Sequence, residues 1–260
     1  MALGKIIAVH SYKGGTGKTL LSLNLAATLV KRGKKVCLLD LDFRAPSLSI
    51  ILKIEKAECW LNDYLNGTCG IEKVLINLSE RFQNKGELFV GLANPATEAI
   101  RDISAKDRKW EMRALGRLLA LRNSLLNDRG FDYLIFDTSP GLQYSSINAI
   151  VGADLVIVAT TLDRSDVDGT RRMLGELYEL FEKKTEIVLN KALLDVSSKS
   201  KREEVQAKIQ EMYNAPLLGV IPCFCDVLRA EGNIIFVHEK PEHPLTKILD
   251  EIADKIETMP

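Results

Sequence analysis

The sequence predicts an α/β fold, doubly wound around a predominantly parallel sheet, and three observations predict it. Short, wholly apolar runs recur at Ile6 to Val9, Val36 to Leu39, Leu88 to Leu92, Tyr133 to Phe136, Leu155 to Ala159, Ile187 to Leu189 and Leu217 to Ile221. Such runs mark strands buried on both faces, as parallel strands are. Segments of helical period lie between several of them, the alternation expected of crossover connections. The first run opens directly into a glycine-rich loop, Lys13-Gly14-Gly15-Thr16-Gly17-Lys18-Thr19, of the kind that cradles phosphate.

Taken in order, Ile6 to Val9 form the first strand. An amphipathic helix follows the loop from about Leu20 to Arg32, with Gly33 suited to its C-terminus. Val36 to Leu39 make the second strand, ending at Asp40. Helical period then appears in Trp110 to Leu126, Thr170 to Phe181 and Lys201 to Tyr213, between the remaining apolar runs. Near the end, Leu245, Ile248, Leu249, Ile252, Ile256 and Met259 recur at three- and four-residue spacing and form one apolar stripe. The opposite face carries Lys247, Asp250, Glu251, Asp254, Lys255 and Glu257, a net acidic set poorly matched to anionic lipid. This helix is expected to pack on the sheet, and direct membrane insertion is not expected.

Composition narrows the classes further. The 260 residues are 46% hydrophobic and 27% charged, an ordinary globular balance, and the chain is long enough to bury a core without disulfide staples. Thirty-five Lys+Arg against 35 Asp+Glu give a net charge of +0, which removes any case for a polycation built to coat nucleic acid or membrane. Five cysteines, at 37, 59, 69, 223 and 225, have no framework spacing and suit a reducing cytoplasm. The apolar run near the start falls short of the ~7–15 residues of a signal peptide, and no stretch reaches the ~20 of a membrane span. With no repeat, low-complexity tract or linker, residues 1–260 are read as a single domain of a cytoplasmic protein.

The loop carries the strongest chemical signal. Gly14, Gly15 and Gly17 let backbone N–H groups turn inward as a nest for phosphate oxygens. The helix beginning near Lys18 adds the positive end of its dipole, so Gly14 through Leu20 form the phosphate-binding segment. Lys18 is expected at the β/γ-phosphates, and the Thr19 hydroxyl on Mg²⁺. Two acidic strand ends complete the pattern. Asp40 and Asp42 are two residues apart on an extended segment, so both point the same way, toward Mg²⁺ or an attacking water. Asp137 closes the apolar run from Tyr133, at the edge where α/β sheets bind ligands, and is expected to hold Mg²⁺. Asn190 ends the run from Ile187, where a plain strand cap would explain it.

Position 12 is Tyr where the common G-x-x-x-x-G-K-[ST] loop has Gly, and a second lysine, Lys13, precedes Lys18 by five residues. This K-G-G-x-G-K-T loop resembles the deviant Walker A loop of the MinD/ParA family of P-loop ATPases. Asp40-Leu41-Asp42 followed by Pro46-Ser47-Leu48 is similar to the family's switch I. Asp137-Thr138-Ser139-Pro140-Gly141 is similar to its D-x-x-P-G switch II. Leu217 to Pro222 with Val227 to Ala230, and Trp60 to Gly67, resemble MinD segments, so the likeness runs the length of the chain. It implies a P-loop NTPase fold, ATP and Mg²⁺ as cofactors, and slow ATP hydrolysis as a switch for spatial positioning. It also implies an ATP-dependent homodimer and a protein activator of hydrolysis. By the same likeness Lys13 reaches the partner's ATP, Asp42 positions the attacking water, and Asp40 joins Thr19 and Asp137 around Mg²⁺. Asn190 reads adenine, and backbone around Pro222 packs on the base. Leu193, where guanine-binding relatives carry Asp, favours ATP over GTP.

Three rival readings stay open at this point. A ParA-like DNA-partitioning ATPase would use Arg171-Arg172, Lys183-Lys184 and Lys199 to Arg202, although solvated helix faces explain those residues equally and DNA binding is the less favoured reading. A metal-cluster maturation ATPase would use Cys223 and Cys225, which supply only half of a tetrahedral site. A metabolic P-loop kinase would use the same cradle and would not need Lys13.

Overall fold

The computed structural model describes residues 4–82, 85–178, 182–193, 199–230, 232 and 234–259. In chain order its elements are β1 (Lys5–His10), α1 (Lys18–Lys31), β2 (Lys35–Leu41), α2 (Leu48–Ile51), α3 (Leu61–Asn66), α4 (Ile71–Val74), β3 (Leu75–Asn77), α5 (Ser79–Phe82), β4 (Glu87–Gly91), α6 (Thr97–Ser104) and α7 (Arg108–Asn123). There follow β5 (Tyr133–Thr138), α8 (Tyr144–Gly152), β6 (Leu155–Thr160), α9 (Arg164–Met173), β7 (Thr185–Ala192), α10 (Lys199–Tyr213), β8 (Leu217–Pro222), α11 (Cys225–Arg229), α12 (Phe236–Glu239) and α13 (Pro244–Thr258).

The strands join in one sheet ordered β3-β4-β2-β5-β1-β6-β7-β8. Every pairing is parallel except β3 with β4. Alternation along each strand feeds two cores. Ile6, Ala8, Cys37 and Leu39 face a layer containing Leu118, Leu121 and Ile150 from α7 and α8. Ile7, Val9, Val36 and Leu38 face Leu25 and Leu29 of α1 together with Leu249, Ile252 and Ile256 of α13. A strand with both faces covered must be apolar at successive positions, which is why these strands read as unbroken hydrophobic runs.

The C-terminal stripe packs as expected. Leu245, Leu249, Ile252 and Ile256 are buried, while Arg32 at the end of α1 grips the polar face through Asp250, Asp254 and Glu257. No helix among the described residues is long and apolar enough to cross a membrane.

Three elements depart from the sequence reading. β3 is a three-residue antiparallel edge strand, too short to show a period. α9 begins at Arg164, six residues before the expected Thr170, because Asp163 caps it by accepting the Ser165 and Asp166 N–H groups. The helix expected from Trp110 ends at Asn123 and runs into one wider turn, Ser124–Asp128. Phe181 lies outside the described residues.

Candidate active site

The site lies at the carboxyl ends of β1, β2 and β5, the central strands of the sheet. β1 ends at His10, and the chain turns through residues 11–17 before α1 starts at Lys18. Gly17 makes that entry with φ 94°, a left-handed conformation that favours glycine. Gly14 and Gly15 are exposed, and a Cβ built on either would meet nothing within 4 Å. Protein packing therefore leaves their faces open, as a cradle for a ligand requires. Lys18 is only 6% exposed. Its ammonium donates to Ser11 Oγ at 2.9 Å, and Ser11 Oγ in turn donates to the Lys13 carbonyl at 2.7 Å. Burial lowers the Lys18 pKa, opposed by the charges of Asp137, Asp42 and Asp166.

Asp40 and Asp137 are register partners on β2 and β5, and both are buried. Asp40 Oδ1 accepts the Asp42 N–H at 3.1 Å. Asp137 Oδ1 accepts Ser22 Oγ at 3.1 Å, and the Thr19 hydroxyl also bonds to Asp137. The second oxygen of each carboxylate has no partner. Burial pushes both carboxyls up, Asp137 to about 6 and Asp40 well above the ordinary range, with the Asp137 charge adding to the latter. Two orphaned carboxylate oxygens beside a threonine hydroxyl form a hard oxygen donor set, which fits Mg²⁺. Asp42 stands further out and half-buried. Its Oδ1 accepts Ser139 Oγ at 2.9 Å and the Ala45 N–H at 3.2 Å, so the segments that follow β2 and β5 meet at this carboxylate.

Lys13 sits on the outer rim. Its ammonium donates to Asp163 Oδ1 at 2.7 Å and Ser165 Oγ at 3.2 Å, and this contact holds the Asp163 carboxyl well below the usual range. Tyr12, immediately before it, lays its ring on α9. A Cβ at Gly169 would fall closer than 3.0 Å to three atoms of that ring. Gly141, at φ 76°, donates its N–H to the Ser11 carbonyl at 2.9 Å, which fastens switch II to the phosphate loop.

Beyond Gly17 a cavity of about 250 Å³ opens between α1 and the ends of β7 and β8. Leu20, Asn24, Asn190, Pro222, Phe224 and Val227 line it, with Leu245 and Leu249 behind. Asn190 Nδ2 donates to the Thr16 carbonyl at 2.7 Å, and Lys191 Nζ donates to the Gly15 carbonyl at 2.7 Å. The asparagine amide thus braces the phosphate loop from the cavity wall. The Phe224 wall is held from behind. His243 Nδ1 accepts the Leu245 N–H at 3.0 Å, leaving Nε2 to donate to Asp226 Oδ2 at 2.9 Å. Its ring lies between Phe224 and Phe236, with centroids 5.0 and 5.1 Å away.

A glycine cradle on the first strand–helix turn, flanked by two acids on neighbouring parallel strand ends, makes this protein a P-loop nucleoside triphosphatase. The family model described as AAA domain matches residues 4–193. The septum site-determining protein MinD of a Synechocystis strain is 30% identical, over 85% of this chain and 76% of its own. MinD of Thermotoga maritima is 26% identical over 98% of this chain and 88% of its own. The crystal structure of the Pyrococcus furiosus cell division ATPase MinD superposes with a TM-score of 0.75 at 26% identity, covering 98% and 99% of the two chains. The chain belongs to the MinD/ParA family of P-loop ATPases.

Lys18, Thr19, Asp40, Asp42 and Asp137 converge at this one place, while Lys13 stands at its rim and Asn190 and Pro222 line the neighbouring cavity. Sequence reasoning missed Ser11, Ser22, Ser139 and Asp163, which hold Lys18, Asp137, Asp42 and Lys13 respectively. Asp163 alone carried a signal, as an acidic helix cap just after an apolar run. Cys223 lines the cavity and Cys225 is exposed, and no cluster of three or more metal-ligating side chains exists among the described residues. Of the proposed basic patches, Arg171 and Arg172 are exposed. Lys183 is spent on the Val151 and Ala153 carbonyls, and the side chains of Lys199 and Arg202 lie outside the described residues.

Proposed function

We propose that residues 1–260 act as a single ATPase domain that binds Mg·ATP, pairs face to face with a second copy, and hydrolyses ATP slowly to release it. The pairing of orphaned Asp40 and Asp137 oxygens beside Thr19 carries the nucleotide part of this reading. The loop amides and Lys18 hold the phosphates, and Thr19, Asp40 and Asp137 hold the cation. A Mg²⁺ held by these oxygens would offset the phosphate charge. Asp42, tied to both switches, orients the water. Asn190 and Pro222 border the adenine, with Asn190 exchanging its Thr16 contact for the base edge.

The pairing part rests on the rim. Lys13 is 36% exposed and held by one surface carboxylate, and exposed Leu142, Leu162 and Leu193 lie on switch II and near the loop. Two copies meeting there would trade the Lys13–Asp163 contact for a partner's phosphates, adding positive charge where the transition state needs it. Hydrolysis then acts as a timer on a binding state, the output suited to positioning cell-division machinery or other cargo through a protein activator. Sedimentation velocity of wild type and Asp42→Ala, with Mg·ATP and with Mg·ADP, tests this. An ATP-specific dimer in Asp42→Ala that Lys13→Ala weakens is expected; a monomer with bound ATP would remove the pairing and favour a small-acceptor kinase.

A further inference from the structure

Away from the nucleotide, the chain before α3 and the chain after it are folded back on each other. The Trp60 N–H donates to Asp63 Oδ2 at 2.8 Å, and the Thr68 N–H and Oγ both donate to the Asp63 carbonyl at 2.9 Å. Further out on each side, Glu58 pairs with Lys73 at 2.9 Å. This double closure brings Cys59 and Cys69 together, and their thiols share a hydrogen bond. Both are half-buried and pack on the same core layer. The Lys73 ammonium lies near enough for its charge to act on both sulfurs.

We propose that Cys59 and Cys69 are a reversible dithiol–disulfide site, closed by small-molecule disulfides of the glutathione type and reopened by small thiols. Of the two, Cys59 is the attacking sulfur. The Lys73 charge acts on Cys59 ahead of Cys69, while burial and the shared hydrogen bond push the Cys69 thiol up. A thiolate beside a lysine is the reactive form. The Cys59 thiolate attacks one sulfur of the small disulfide; that S–S bond breaks, one small thiolate leaves, and Cys59 carries a mixed disulfide. Cys69 then gives its proton to solvent and attacks the Cys59 sulfur, expelling the second small thiolate. The protein loses two electrons and two protons, and the oxidant becomes two thiols.

The other cysteines are differently placed. Cys37 is buried within β2, where burial raises its pKa. Cys225 is exposed, and Cys223 borders the nucleotide cavity. With no cluster of three or more ligands among the described residues, a disulfide fits the pair better than a metal does. Closing it would staple residues 59–69 around α3, whose Leu61 N–H and Asn62 side chain anchor the chain beyond β4 at the Leu92 carbonyl and the Asn94 N–H.

The test is the full chain in graded mixtures of reduced and oxidised glutathione, quenched by alkylation and read by intact mass and peptide mapping. The expected product has lost two hydrogens, carries a 59–69 cross-link, and reverts with excess thiol. Hydrogen exchange at Gly67 and Thr68 should be slower in it. Cys69→Ser should trap glutathione on Cys59, and Lys73→Met should slow closing without changing the product. A glutathione adduct persisting on Cys59 of the wild type, a cross-link to a different cysteine, or two unreactive thiols would each overturn the proposal. These readouts use no nucleotide, so they stand apart from the ATPase reading.

Discussion

Adding one methyl group at Gly169 should separate the positioning of Lys13 from the stability of the fold. Gly169 is buried in α9, and its missing Cβ is replaced by the Tyr12 ring. Ala there must push the ring aside. Overpacking of this kind costs about 1–3 kcal/mol, while Gly→Ala in a helix interior returns about 1 kcal/mol. The net loss is therefore about 0–2 kcal/mol. For a chain of this size, about 2 °C per kcal/mol limits the fall in melting temperature to roughly 4 °C. The functional effect should be larger, because Tyr12 adjoins Lys13 and Ser11 and a displacement of about 1 Å at a reacting group can cost ~10²-fold in rate. Gly169→Ala should thus lose ATP turnover by about ten- to a hundredfold while melting within a few degrees of wild type. The control is a double-mutant cycle with Tyr12→Ala, read by urea denaturation. Without the ring, Gly169→Ala should be neutral or stabilising by about 1 kcal/mol. An equal cost in both backgrounds, or full turnover in Gly169→Ala, would refute the ring-on-glycine account.

Three other expectations follow from the same geometry. His10 is buried with its Nδ1 2.7 Å from Thr138 Oγ1, and burial drives its pKa from 6.5 to about 3. The unfolded chain takes up a proton below pH 6.5 that the folded protein refuses, so stability falls as pH drops. Between pH 6.5 and 5 this group accounts for about 2 kcal/mol, and His10→Asn should flatten that limb in urea titrations. His243→Ala should loosen the Phe224 wall and weaken ADP and ATP binding about tenfold, roughly 1.4 kcal/mol, while tripolyphosphate binding, measured by calorimetry, stays unchanged. Asp137→Asn should abolish Mg²⁺-dependent turnover. Because the folded protein carries this ionised carboxyl at a cost, moving it from 3.8 to about 6, the variant's nucleotide-free melting temperature should hold or rise at pH 8; a clear drop would contradict the burial argument.

The parts of this protein that the sequence displays are those governed by local or periodic rules. Parallel strands with both faces covered must be apolar throughout, so Leu134-Ile135-Phe136 and Val156-Ile157-Val158 announce themselves. The phosphate loop is legible because Gly17, Lys18 and Thr19 are consecutive. What stayed hidden depends on contacts between distant segments. Lys13 and Asp163 are 150 positions apart, and no spacing rule links them. Asn190 looked like a base reader or a cap, while its amide also serves the Thr16 carbonyl across the site. β3 is created by pairing with Phe89, Val90 and Gly91, not by a pattern of its own. The cavity wall of Phe224 and Val227 depends on His243, from the N-cap of the last helix.

The site's two halves also have different birthdays. The phosphate side is written between Ser11 and Gly141, but the cavity for the base is finished only by Leu245 and Leu249. At a ribosomal pace of ~5–20 residues per second, the stretch separating Lys18 from Leu249 takes on the order of ten to fifty seconds to emerge. A nascent chain can therefore own a finished phosphate loop long before it owns a place for the base. On the proposed function, full nucleotide affinity arrives only once Leu249 has emerged, so a chain cut before that residue has no complete pocket with which to enter the switching cycle.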